Sequence, residues 1–89
     1  MEIRVVCRRS YECYTLASWI REISEILSSE FGESVEIREE HSDEISEPET
    51  YVENELVLVG LPGEEGYLIE ALKHAIKKLR GNRSDALNQ

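Results

Sequence analysis

Cys7 and Cys13 are the only cysteines of this 89-residue chain, and the stretch Arg8-Arg9-Ser10-Tyr11-Glu12 separates them. A thiol near two arginines is the residue type in this sequence best suited to covalent chemistry, because the thiolate is the nucleophile and positive charge favours it. Glu12 works in the opposite direction. If Cys13 sits in the first turn of a helix, the unpaired backbone N–H groups and the positive end of the dipole also favour its thiolate. Placement in the loop between strand and helix makes Cys13 read as an exposed, functional thiol, with an inert thiol as the plain alternative. Cys7 is in phase with Ile3 and Val5, so it reads first as a small buried core residue. Its sharper role is to resolve a disulfide with Cys13, which requires Cα atoms within ~7 Å. Tyr11 and Tyr14 flank Cys13. They form either an apolar wall for a partner peptide or a cover for the sheet edge, the simpler role of the two.

The elements that position these residues follow from the periodicity. Ile3, Val5 and Cys7 alternate with Arg4, Val6 and Arg8, the period of two of a strand with one face turned to a core. Leu16, Trp19, Ile20, Ile23, Ile26 and Leu27 recur at three and four, which predicts one stripe of a helix. Gly32 is the expected left-handed stop. Val35 and Ile37 alternate with Glu36 and Arg38 as a second strand ending near Glu40, and strand, helix, strand in this order closes naturally as a parallel crossover.

Residues 39–49 are polar and acidic around a single apolar Ile45, and read as a solvated loop. His41 and Asp43 lack the second cluster of ligands that a metal site would need, so no metal and no cofactor are assigned. Tyr51-Val52 and Leu56-Val57-Leu58-Val59 flank Glu53-Asn54-Glu55, with Asn54 suited to the positive φ of a tight hairpin. Gly60-Leu61-Pro62-Gly63 ends that hairpin, and Glu64 and Glu65 open a second helix carrying Leu68, Leu72, Ala75, Ile76 and Leu79. Lys73, Lys77, Lys78 and Arg80 load its far end, and Gly81 is the expected stop. Residues 1–81 therefore read as a single domain and 82–89 as a polar, frayed tail. Trp19 shares the first helix stripe and reads as core filling, whereas His74 lies among lysines and reads as a surface residue.

Ten basic against nineteen acidic residues give a formal charge of -9, which disfavours non-specific attraction to nucleic acid or anionic lipid. No run reaches the ~20 apolar residues of a membrane span, and no signal-peptide pattern opens the sequence. The expected setting is cytoplasmic. There, two cysteines so close in sequence are redox-active, structural or unpaired.

The order of elements, strand, helix, strand, strand, strand, helix, resembles the thioredoxin-like family. In detail, the run from Pro48 through Tyr51-Val52-Glu53-Asn54-Glu55-Leu56-Val57-Leu58-Val59 to Gly60, then Leu61-Pro62 and Leu68-Ile69-Glu70-Ala71-Leu72, is similar to the proline, hairpin, glycine and final helix of small glutaredoxin-like thioredoxins. The resemblance implies a cis Glu47–Pro48 bond and places Pro48 opposite Cys13 in a substrate-binding role beside Tyr11 and Tyr14. It spans roughly residues 3 to 80. The amino half departs from the family's two cysteines separated by two residues. Ser10-Tyr11-Glu12-Cys13 puts serine in the nucleophile's place, and the alternative Cys13-Tyr14-Thr15-Leu16 lacks the resolving cysteine. Ile3-Arg4-Val5-Val6 also resembles the onset of selenoprotein W-like redox proteins, again without their cysteines in register.

Ser42 to Glu47 is too short to hold the helix that the family places before the proline. The expected architecture is a minimal thioredoxin-like α/β fold, a four-stranded mixed sheet in the order second, first, third, fourth strand. Both helices lie on one face, and Arg4, Val6, Glu36, Arg38 and Glu40 line the open one. The expected function is thiol–disulfide exchange with a protein thiol or disulfide partner, with Cys13 and Cys7 as the catalytic pair. The alternative is a non-catalytic binding module on the same fold. An RNA-binding domain of similar strand and helix order is disfavoured by charge and by the lack of regularly spaced strand aromatics.

Overall fold

A computed structural model describes the backbone of residues 1–88 and the side chains of residues 1–81. The elements are β1 (Glu2–Cys7), α1 (Tyr11–Phe31), β2 (Glu36–His41), β3 (Glu49–Val52), β4 (Glu55–Val59) and α2 (Glu65–Asn88). The sheet order is β2-β1-β3-β4. β1 and β2 are parallel, while β3 runs antiparallel to both β1 and β4. The chain is thus α/β with two helices and a four-stranded mixed sheet, in the expected strand order.

The alternation of β1 decides where the core lies. Ile3, Val5 and Cys7 are buried and join Leu16, Ile20, Ile23 and Leu27 of α1 and Leu68, Leu72 and Ile76 of α2 in one cluster. Both helices therefore cover the same face of the sheet. Each fully buried Leu or Ile contributes roughly 1.5–3 kcal/mol, so this one cluster carries the fold. Trp19 packs against its edge. Ile26 departs from the expected stripe: it is 48 % exposed, because the buried arc of α1 runs through Ile23 and Leu27 and leaves position 26 to one side.

The opposite face carries the residues of the other phase. The Arg4 guanidinium lies 4.6 Å from the Tyr51 ring centroid and 3.7 Å from Glu40, and Arg38 reaches both Glu2 and Glu40. The Tyr51 hydroxyl donates to Glu49 at 2.8 Å. Charged groups bridging neighbouring strands suit a sheet face that meets water rather than a third layer.

The ends of the elements follow local chemistry. Gly32, at φ 64, caps α1 and donates its N–H to the Ser28 carbonyl at 2.9 Å. The hairpin turn has Glu53 at φ 50 and Asn54 at φ 70, so a glutamate shares the left-handed conformation expected of the asparagine. Gly81 does not stop α2, which continues to Asn88. Unlike Gly32 it has no positive φ, and a helical glycine costs only about 1 kcal/mol relative to alanine, too little to end a helix by itself. The side chains of the expected polar tail, 82–89, lie outside the described residues.

Candidate thiol site

The site forms where β1 hands over to α1. Ser10 has extended backbone, φ -161, and its Oγ accepts the Cys13 N–H at 3.2 Å, while the Tyr14 N–H donates to the Ser10 carbonyl at 3.0 Å. Ser10 is thus the N-cap of α1, and Cys13 stands in the first turn. A serine in the position where the resemblance puts a nucleophile has a structural task here.

Cys7 and Cys13 are joined in a disulfide, with Cα atoms 5.6 Å apart. That separation is ordinary for a disulfide, and the five intervening residues turn tightly enough to allow it. The bond ties the end of a central strand to the start of the helix that covers it. Of the three readings of the pair, unpaired thiols are set aside. The expected exposure of Cys13 is also corrected: Cys13 is 4 % exposed and Cys7 is fully buried. The reason is helical phase, since Cys13 precedes Leu16, Ala17 and Ile20 on the buried stripe of α1 instead of lying in the loop.

The tyrosines do not cover the sheet edge. Tyr11 and Tyr14 are 81 % and 77 % exposed and project from the first turn. Pro48 is buried, accepts the Gly60 N–H on its carbonyl at 2.7 Å, and borders a cleft with Arg8, Ser10, Tyr11, Glu12 and Ser46. It therefore lies beside the loop that leads to Cys13. The Glu47–Pro48 bond is trans, which corrects the expected cis bond. Trans is the lower-energy form, and no sequence signal other than the resemblance called for cis.

Cys13 opens on a different cleft, lined with Arg9, Ser10, Tyr14, Glu39 and His41. On sequence alone His41 reads only as a metal ligand in the loop after the second strand, whereas it is the last residue of β2. It pairs with Cys7 in the parallel register, and the following Ser42 N–H donates to the Cys7 carbonyl at 3.1 Å. Paired residues of neighbouring strands share a sheet face, at a strand spacing of roughly 4.8 Å. That face is the helical one, because Glu39, two residues earlier, forms an ion pair with Arg21 of α1. The signal that could have found His41 is its phase with Ile37. What lacked was the register. Arg8 fixes the other side of the loop by donating to the Asp43 carbonyl at 2.7 Å.

The arrangement offers a disulfide next to a helix amino terminus, with Cys13 among the residues lining a cleft that has an imidazole and an arginine at its rim. Comparison with protein-family models, with curated proteins and with solved structures returned no match. Among the described residues no helix is long and apolar enough to cross a membrane.

Proposed function

We propose that this chain is a thioredoxin-like thiol–disulfide exchange protein with an atypical site, in which Cys13 carries the exchange and Cys7 is its partner. The observation that carries the reading is the Cys7–Cys13 bond itself, placed between the end of a central strand and the first turn of a helix. On reduction, the Cys13 thiolate meets the free N–H groups and positive dipole of that turn, which favours it over a thiolate elsewhere. Cys13 is also the sulfur that a partner reaches, since Cys7 is sealed in the core. In the dithiol form, Cys13 attacks a partner disulfide, and Cys7 then displaces the partner from the mixed disulfide. The protein leaves oxidised and the partner leaves with two thiols. A cytoplasmic setting belongs to this reading, because a reducing pool there returns the pair to the dithiol.

A redox titration against dithiol and glutathione buffers tests it. A potential of roughly -270 to -180 mV, where exchange proteins operate, supports the proposal, whereas one below about -300 mV makes the bond a structural staple. The second reading, a non-catalytic protein-binding module, draws on the exposure of Tyr11 and Tyr14 around a nearly buried sulfur. A Cys13→Ser variant that keeps all partner binding favours the module.

A further inference from the structure

The two clefts around Ser10 lie on opposite sides of the first turn of α1, and only the one toward β2 includes Cys13. We propose that a partner dithiol enters through this cleft and that His41 is the proton donor to the departing Cys7 sulfur. This inference rests on the exchange reading above and names the route and the acid of that same site. His41 is suited to the task by position and by chemistry. It is the in-register neighbour of Cys7, on the strand face turned to α1, and it borders the cleft onto which Cys13 opens.

Reduction then runs in balanced steps. One thiolate of the partner forms a bond to Cys13 Sγ, the Cys7–Cys13 bond breaks, and its electron pair departs on Cys7 Sγ. A buried thiolate is a poor leaving group because desolvation disfavours its charge, so protonation by the His41 imidazolium removes the main cost. The partner's second thiolate next displaces Cys13 from the mixed disulfide. The partner leaves as a disulfide, Cys13 takes a proton from solvent, and His41 is recharged from water. Two electrons pass from the partner dithiol to the protein.

The charged and titratable groups around His41 are Glu39 on its own strand, Arg9 from the β1–α1 connection, Tyr14 from α1 and Asp43 and Glu44 from the loop that follows. Glu39 is engaged by Arg21, and Arg8 holds the Asp43 backbone. The comparison of wild type with His41→Gln decides whether a rate change between about pH 5.5 and 8, the range in which a histidine side chain changes charge, arises at this site. His74, the only other histidine, lies on α2 beside β4 and serves as the control.

The test measures the rate constant for reduction of the folded, oxidised protein by dithiothreitol, expressed per dithiothreitol thiolate, across this pH range. The expected result is a wild-type value about tenfold higher at the acidic end than at the basic end, less than the roughly 10²–10⁴-fold of full general-acid catalysis. His41→Gln should lose that dependence and be slow throughout, while His74→Gln, and Ser46→Trp placed in the Pro48-side cleft, keep it. His41 is exposed at the end of an edge strand, so its variant retains the fold. A His41→Gln profile equal to wild type overturns the proton role. A Ser46→Trp variant that loses rate as His41→Gln does overturns the route, because entry would then lie on the Pro48 side. A folded wild-type protein that dithiothreitol does not reduce overturns the exchange reading, and this inference with it.

Discussion

Ser10 holds Cys13 in place: its side-chain oxygen accepts the Cys13 backbone N–H at 3.2 Å and so begins the helix in which the sulfur stands. Loss of an N-cap side chain costs about 1 kcal/mol. Ser10→Ala should therefore lower the free energy of unfolding by that amount, read as a lower urea midpoint with the denaturant slope unchanged. Ser10→Asp should retain most of the stability, and an equal loss in both variants would show that the oxygen has no capping role.

The disulfide closes a short loop, six positions apart in sequence. By loop entropy such a link stabilises the folded state by about 2 kcal/mol, a substantial fraction of the total for a domain of this size. Urea unfolding with and without reductant should differ by roughly that much. The reduced protein should still unfold cooperatively, because the rest of the core cluster does not depend on the bond.

Glu22 of α1 and Glu65 of α2 meet carboxyl to carboxyl. With both ionised neither can donate, and Glu65 Oε2 stays buried without a donor. Sharing one proton with Glu22 relieves this, and burial and the charge of Glu22 act in the same direction, so the Glu65 pKa is raised. A carboxyl with a raised folded pKa contributes stability that is present below its unfolded value and lost as pH rises through the folded one. The contact therefore weakens the fold at neutral pH. Glu22→Gln should raise the melting temperature near pH 7 and change it much less near pH 4, as read by thermal scans at the two values.

Thr50 is fully buried on the core face of β3, and its hydroxyl has no hydrogen-bond partner among the described residues. A buried hydroxyl without a partner costs about 1–3 kcal/mol, and valine has nearly the same shape. Thr50→Val should stabilise the protein by roughly 1 kcal/mol in the same urea assay. Thr50→Ser, which keeps the hydroxyl and deletes a methyl group, should do the reverse.

The sequence by itself determined the order of the elements, because each is written in a local period: alternation through Ile3, Val5 and Cys7, the three-and-four spacing of Leu16, Ile20, Ile23 and Leu27, and Gly32 at the helix end. It also separated a core face from an open one, while first-turn placement of Cys13 entered only as a condition. These are short-range features, set by residues within a turn or two of one another. The tertiary structure decided the rest. Whether Cys7 and Cys13 bond depends on how closely the end of β1 approaches α1, and the burial of Cys13 depends on the rotation of α1 over the sheet. His41 lies 34 positions from Cys7 in sequence and becomes its neighbour only through the parallel register of β1 and β2, which packing around a long crossover sets. The trans Glu47–Pro48 bond also differs from expectation, because cis rested on the resemblance alone and trans is the lower-energy form.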